Sequence, residues 1–160
     1  LGIVFFFLTG VLSLVKPATK FELSEPQAQE IATSLQSNIY HAYNFKEQEQ
    51  IYDTLDKSVS GELLRELYLL IKENLNDEEL GRTISEVVEV KILKGKILEQ
   101  ELKNNKFQWT YKFQWTVKGK VTHWGHSHQR DHRYNGIMTI QEEKRLWQIS
   151  AFEVIDEVQQ

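Results

Sequence analysis

The side chains with the clearest capacity for chemistry lie in one short segment of the chain. Four of the five histidines fall between residues 123 and 132. If this segment is extended, His126 and His128 point to the same side of the strand, about 7 Å apart. Two imidazoles in that arrangement can bind one divalent metal ion, with a neighbouring side chain as the third ligand. The neighbours are His123, Asp131 and His132, and the predicted metal set is His126, His128 and His132.

A second interpretation of the same segment is a polar site for a small ligand. Arg130 shares strand parity with His126 and His128, and His123 lies just before them. Such a site could hold an anionic ligand or serve in acid–base chemistry near neutral pH. The predicted ligand-binding residues are therefore His123, His126, His128 and Arg130. A third interpretation assigns no site to the segment, which would be a hydrogen-bonded strand turn with Trp124 packed beside it.

Residue types and motifs that the chain lacks exclude several classes of enzyme. It contains no cysteine, which excludes a disulfide framework, a thiol nucleophile and any zinc or iron–sulfur site built on cysteine. The sequence also lacks a glycine-rich phosphate loop, a Gly-x-Ser-x-Gly motif, a His-Glu-x-x-His motif and an EF-hand loop. We therefore predict no catalytic residues, and no cofactor besides the divalent metal considered above.

The charge of the chain is unevenly distributed along its length. The net charge is −4, but residues 21–80 contain thirteen acidic and four basic residues, whereas residues 101–135 contain two acidic and seven basic residues. Asp53 and Asp56 stand at positions i and i+3 and contribute to an acidic helix face. The simplest interpretation is a pair of solvated faces of opposite charge. The alternative is an acidic partner or an anion that binds the basic half.

The chain begins with an apolar segment. Residues 1–15 carry no charged side chain, and the segment ends at Lys16-Pro17. A helix that crosses the hydrocarbon of a membrane needs about 20 apolar residues. We therefore expect residues 1–16 to be the exit half of a transmembrane helix, followed by a linker at residues 17–24, and this predicts a membrane localisation. The alternative is that residues 1–15 form a core helix of a soluble protein.

The first half of the remaining chain has the periodicity of helices. Apolar side chains at intervals of three and four residues predict a helix over residues 25–43, which begins at the capping box Ser24-x-x-Gln27. A second helix is predicted over residues 46–57 and a third from Ser60 to Asp77. The side chains of the second helix that we expect to face inward are Ile51, Tyr52 and Leu55. No strand is expected between the second and third helices.

The period changes to two in the second half of the chain. Val88, Val90 and Ile92 alternate with charged residues, which predicts a strand. Residues 106–118 alternate strictly, with aromatic or apolar side chains at every odd position and polar side chains at every even one. Further strands are predicted over residues 130–141 and 145–155, with a turn at residues 142–144.

The strict alternation has two consequences. All the aromatic side chains of residues 106–118 lie on one face of the strand and the lysines lie on the other. A single surface therefore cannot stack on bases and also bind phosphates, so we predict no nucleic-acid partner. The aromatic face must instead be core, covered by the helices. Gly119 and Gly125 predict a bend or a bulge near one end of this strand.

Helices followed by antiparallel strands indicate the α+β class, with the N-terminal helices packed on a strongly curved sheet. This layout resembles the cone-shaped fold of the NTF2-like superfamily over residues 25–160. The segments that carry the resemblance are Ile39-Tyr-His-Ala-Tyr-Asn-Phe45, Tyr52-Asp-x-Leu55, Trp147-Gln-Ile149 and Phe152-Glu-Val154.

A transmembrane helix followed by such a domain is similar to the VirB8-type and Mce-associated membrane proteins. The resemblance implies a non-catalytic accessory subunit that assembles with other membrane-protein subunits or with itself. The alternative function is a ligand-binding or metal-binding NTF2-like domain, with enzyme activity as one form of it, that uses His126, His128 and Arg130.

Overall fold

The computed structural model describes residues 22–79 and 84–159. Three helices come first, α1 (Glu25–Ala42), α2 (Gln48–Asp56) and α3 (Gly61–Glu79). The predicted transmembrane segment at residues 1–16 and most of the linker at residues 17–24 lie outside the described residues. Among the helices that are described, none has the length and apolar character needed to cross a membrane.

Four strands follow the helices and form one antiparallel meander. They are β1 (Ile84–Lys103), β2 (Lys106–His123), β3 (His126–Glu143) and β4 (Leu146–Gln159), and they pair in the order β1-β2-β3-β4. Each connection is a two-residue turn in which both residues have positive φ, the geometry of a type I′ hairpin. The turns are Asn104-Asn105, Trp124-Gly125 and Lys144-Arg145. The last turn therefore lies two residues beyond its predicted start at residue 142.

The predicted α+β class is confirmed: three helices pack on a curved four-stranded sheet, as the NTF2-like resemblance implies. Gln27 accepts a hydrogen bond of 3.0 Å from the backbone N–H of Ser24, as the capping box predicts for the start of α1. The aromatic stripe of β2 is core as expected. Its buried members are Trp109, Tyr111, Phe113, Trp115 and Val117.

The first strand is much longer than the alternation around residues 88–92 predicts. Its register with β2 shifts between Val87 and Glu89, between Ile92 and Lys94, and between Ile97 and Glu99. The extra residues of these bulges are Val88, Leu93 and Leu98, and all three are exposed. The strand predicted around residues 88–92 is present, but each bulge interrupts its period of two and bends it.

As expected, the described chain has no strand between α2 and α3, but a single bridge residue lies there. Val59, between α2 and α3, forms an isolated parallel bridge with Ile149 of β4. The backbone N–H of Ile149 donates to the carbonyl of Ser58 at 2.8 Å, and that of Ser60 donates to the carbonyl of Ile149 at 3.0 Å. This bridge satisfies backbone groups of an edge strand that would otherwise be open to pairing.

The two ends of the sheet have different roles in the fold. The turns at residues 104–105 and 144–145 lie at one end, and the turn at residues 124–125 lies at the other. Leu23 exchanges two hydrogen bonds with the side chain of Gln100 on β1, at 2.8 and 3.0 Å. The chain therefore enters the domain at the end of the sheet that carries the turns at residues 104–105 and 144–145.

Candidate functional site

The predicted site residues lie on a hairpin that extends beyond the packed core. β2 and β3 pair without a register shift from Gln108 and Gln141 to His123 and His126. At about 3.4 Å per residue, this ladder is about 50 Å long. The fully buried side chains of β2 end at Val117, and residues 118–131 are exposed or half-buried. We call residues 118–131 the hairpin arm.

A bend or a bulge was predicted at the two glycines of the arm, and the structure gives each glycine a different role. Gly119 lies opposite the first bulge of β1, since Val87 pairs with Gly119 and Glu89 pairs with Lys118. The irregularity predicted at Gly119 therefore occurs on the neighbouring strand. Gly125 has a φ of +78° in the turn at the end of the arm, so it reverses the chain and does not bend a longer strand.

The register places the predicted ligand-binding residues on one face of the sheet. His123 pairs with His126, while His128 and Arg130 pair with Val121 and Gly119. All these positions continue the face that carries the aromatic stripe. The rings of His123 and His128 are in contact, with centroids 5.3 Å apart and an interplanar angle of 62°. His123 Nδ1 is buried and has no hydrogen-bond partner within the described part of the chain.

The predicted metal set is not gathered at one point in the structure. His132 stacks on Tyr134, with centroids 6.0 Å apart, and its Nδ1 contacts the carboxylate of Glu157. His126 and His128 lie further out, on the exposed arm. Within residues 22–79 and 84–159, no three His, Cys, Asp or Glu side chains are placed to hold one metal ion. Metal binding by His126, His128 and His132 stays a prediction for a direct binding measurement.

A cavity of about 400 Å³ lies between α3 and the sheet, beside the arm. Ile71, Leu75 and Glu78 of α3 form one wall, and Gly119 and Val121 of β2 line the opposite side. These two β2 residues pair with Arg130 and His128, so the cavity adjoins the predicted ligand residues.

Tyr43, at the C-terminal end of α1, also lines this cavity, and burial raises its pKa to about 12. Our sequence reasoning missed the cavity. The signal that could have indicated it is Gly119, which places no side chain on the inward face of an otherwise bulky strand.

A second concavity lies on the opposite side of the helical layer, between α2 and α3. Its volume is about 590 Å³. We call it the α2–α3 groove, and its lining residues are Gln48, Glu49, Tyr52, Asp53, Gly61, Leu64, Arg65 and Tyr68. The rings of Tyr52 and Tyr68 meet edge to face, and the hydroxyl of Tyr68 donates to Gln48 at 3.0 Å. Tyr52 is 47% exposed, so the expectation that it faces inward with Ile51 and Leu55 was wrong.

The tip of the hairpin arm also differs from expectation. The sequence allowed a strand turn with Trp124 packed beside it, and the turn is present. Trp124 is 94% exposed, however, and has a φ of +52°. A bulky L-residue in the left-handed region is unusual, because Asn and Gly adopt that conformation at lower cost. The indole is therefore presented to the surroundings at the far end of the arm.

Comparison with solved structures identifies the fold. The intermembrane space region of the chloroplast protein ARC6 matches with a TM-score of 0.56 and 13% identity, covering 83% of this chain and 97% of that chain. The periplasmic domain of DotI matches with a TM-score of 0.55 and 15% identity, covering 84% of this chain and 97% of that chain. No protein-family model matches, and no curated protein matches significantly in sequence. At these identities the likeness establishes the shared fold.

Proposed function

We propose that this chain is a membrane-anchored, non-catalytic binding and assembly subunit of a membrane protein complex. The observation that carries the proposal is that the domain's own aromatic side chains fill the concave side of its sheet along the stripe of β2, with the 400 Å³ cavity beyond the end of that stripe. The rings of Tyr111, Phe113, Trp115 and Tyr134 stack in succession, with centroids 4.7 to 5.9 Å apart. A concavity filled along this stripe leaves the hairpin arm, the outer face of the sheet and the helical surface as parts that can contact other macromolecules.

The proposed anchor is the apolar segment at residues 1–16. Leu23 is tied to Gln100 at the end of the sheet opposite the hairpin arm. Residues 17–22 span at most about 20 Å when fully extended. An anchor at residues 1–16 would therefore hold the entry end of the domain near the membrane and direct the hairpin arm away from it.

The two structures of the same fold support a location beside a membrane. One is an intermembrane space region and the other is a periplasmic domain. Each is thus described as the part of a protein in a compartment bounded by a membrane. By analogy, we place this domain beside a membrane, with other membrane-protein subunits or further copies of itself as partners, and without nucleic acid.

Native mass spectrometry tests this proposal on the protein extracted from its own membranes in mild detergent, with metal analysis of the same sample. We expect release together with other membrane subunits and no stoichiometric metal. Extraction by alkali into the aqueous phase would contradict the anchor. Release as a single chain that carries a small molecule would contradict the assembly role.

The alternative function, a site for a small anionic ligand, is favoured by one specific observation. His128 and Arg130 are the direct strand partners of Val121 and Gly119, which line the 400 Å³ cavity. A cavity of that volume lies in the range of small-molecule sites. His126 and His123 continue the same face toward the tip.

The double substitution His126→Ala/His128→Ala separates the two functions. The alternative predicts loss of a bound metal or small molecule while partner subunits are retained. The assembly proposal predicts that no bound species changes. Lys118→Ala is a matched control on the same arm, because Lys118 lies on the other face and pairs with Glu89 at 2.9 Å.

A further inference from the structure

Trp124 has the features of a binding anchor. It occupies the first position of a type I′ turn, where Asn, Asp and Gly are preferred, and it is 94% exposed. Its left-handed backbone is strained, and no contact of the indole within the described residues offsets that strain. Strained and exposed residues of this kind cluster at functional sites. Tryptophan is also among the residues most enriched at the energetic centres of protein interfaces.

The surroundings of Trp124 restrict the chemistry of its partner. The hairpin arm contains three cationic side chains, three histidines and one acidic residue, Asp131. Lys118 is neutralised by Glu89, which leaves Lys120 and Arg130 as cations of the arm. A matching surface would offer an apolar pocket for the indole and carboxylates around it.

The α2–α3 groove of this same chain has that composition. Its floor is formed by Leu64 and by the two rings of Tyr52 and Tyr68, and edge-to-face contacts with such rings suit an indole. Its rim carries the exposed carboxylates of Glu49 and Asp53. The lining includes one cation, Arg65, which is paired with Glu62 at 2.7 Å. Its volume of about 590 Å³ can admit a large side chain.

We propose that Trp124 of one copy of this chain inserts into the α2–α3 groove of a second copy. Lys120 and Arg130 lie on opposite faces of the arm, so either one, but not both, can face the carboxylates of Glu49 and Asp53 of the second copy. The arm and the groove are different surfaces of the same protein, so the contact is heterologous. Each copy offers one arm and one groove, and repetition of the contact builds a closed ring or an open filament of copies.

The inference rests on the proposed assembly function and names one partner for it, a second copy. It also gives a reason for Trp124 in a turn that Asn would form with less strain, since residues at functional sites are often suboptimal for stability.

The first test is the substitution Trp124→Asn in the full chain in mild detergent, followed by sedimentation velocity over a range of concentrations. Asn-Gly is the preferred type I′ sequence, so the hairpin should fold at least as well as in the parent chain. We expect association to weaken about thirtyfold, the scale of a tryptophan at an energetic centre. Leu146→Asn is the matched control, because it removes an exposed apolar side chain beside the turn at the opposite end.

The second test reverses the charge of the groove with Glu49→Lys/Asp53→Lys. Both side chains are exposed, so the fold should be retained, and the protein should become monomeric. Glu30→Lys/Glu73→Lys is the matched control, since it makes the same change of charge on exposed positions of α1 and α3 outside the groove.

Mixing the tip variant with the groove variant is the decisive measurement. The first retains an intact groove and the second retains an intact arm. The mixture should therefore form dimers and no larger species, although each variant alone stays monomeric. A parent chain that does not associate would overturn the inference. So would a Trp124→Asn protein that associates normally, or a mixture that stays monomeric.

Two further outcomes would also overturn it. One is loss of association in Trp124→Asn but not in the groove variant, which would indicate contact between two tips. The other is binding of Trp124 to lipid vesicles without self-association. The two failures are distinguishable, because failure of the inference alone leaves native extraction releasing the chain with other membrane subunits, whereas failure of the assembly function releases it as a single chain.

Discussion

The indole N–H of Trp115 on β2 donates a hydrogen bond of 3.0 Å to the hydroxyl of Tyr40 on α1. Trp115 is 1% exposed, so this bond lies in the interior, where an indole without an acceptor would be costly. The same indole stacks on Phe113 and Tyr134. The contact thus joins the helical layer to the centre of the aromatic stack and helps to fix the position of α1 over the sheet.

Tyr40→Phe tests this contact. The substitution retains the ring and leaves the Trp115 N–H buried without its acceptor. We expect the free energy of unfolding to fall by about 1–3 kcal/mol, the cost of one unsatisfied buried polar group. Urea denaturation followed by tryptophan fluorescence measures it. Tyr43→Phe is the control, since Tyr43 is on the same helix but is not the acceptor of this bond, and an equal loss in both variants would contradict the assignment.

Alkaline pH should destabilise the fold through the two tyrosines of α1. Burial raises the pKa of Tyr40 to about 12, more than the bond from Trp115 lowers it, and burial raises that of Tyr43 to about 12. In the unfolded chain both have a pKa of about 10. The folded state therefore keeps protons that the unfolded state loses, so stability is complete below pH 10 and falls as the pH rises toward 12.

Thermal melting at pH 9, 10 and 11 measures this effect. We expect the melting temperature to fall across the series, and the fall should be smaller in Tyr40→Phe/Tyr43→Phe, because Phe does not titrate. An equally steep decrease in the double variant would assign the loss to other groups and refute the prediction.

Two glycines provide space for the aromatic stack. A Cβ at position 95 would overlap the ring of Tyr111, and one at position 136 would lie 2.6 Å from the Glu153 carbonyl and 2.9 Å from the Trp115 ring. We expect Gly95→Ala and Gly136→Ala to lower the free energy of unfolding by about 1–3 kcal/mol each, the usual cost of overpacking a core.

Gly119→Ala is the control for both substitutions. Its Cβ would meet its nearest neighbour, the Glu86 carbonyl, at 3.6 Å, which is an ordinary contact. Chemical denaturation of the three variants should therefore show large losses at positions 95 and 136 and a small change at position 119. Three equal changes would indicate that the glycines act through backbone propensity and not through space for the rings.

Gln36 is a buried polar residue that the fold does not use for a bond. It lies on α1 at 1% exposure, and neither atom of its amide has a hydrogen-bond partner among residues 22–79 and 84–159. Burial of an amide without a partner is unfavourable. Gln36→Met, which has a similar length, should raise the free energy of unfolding by about 1–2 kcal/mol. A lower stability in urea denaturation would show that the amide has a partner in the intact protein.

The α+β class, the order of the elements and the identity of the core face could all be predicted from local patterns in the chain. These features are predictable because the helical period of 3.6 residues and the strand period of two are local properties of the chain. The helix at residues 25–42 follows from the capping box and the spacing of its apolar side chains. The strict alternation of residues 106–118 likewise required one face of β2 to be buried, and the structure buries it.

Other features depended on contacts between distant residues. The bulges at Val88, Leu93 and Leu98 break the alternation that a sequence pattern needs, so the length of β1 could not be predicted. The bridge between Val59 and Ile149 joins positions that are far apart in the chain. No local signal in the sequence indicates either feature.

The candidate sites divide in the same way. The parity of His126, His128 and Arg130 on one strand face was predictable from spacing alone, because alternate residues of a strand share a face. The exposure of Trp124 and the α2–α3 groove were decided by tertiary structure. Whether a tryptophan packs or projects depends on what lies opposite it, and at the tip of a hairpin that extends past the core nothing in the described fold covers it.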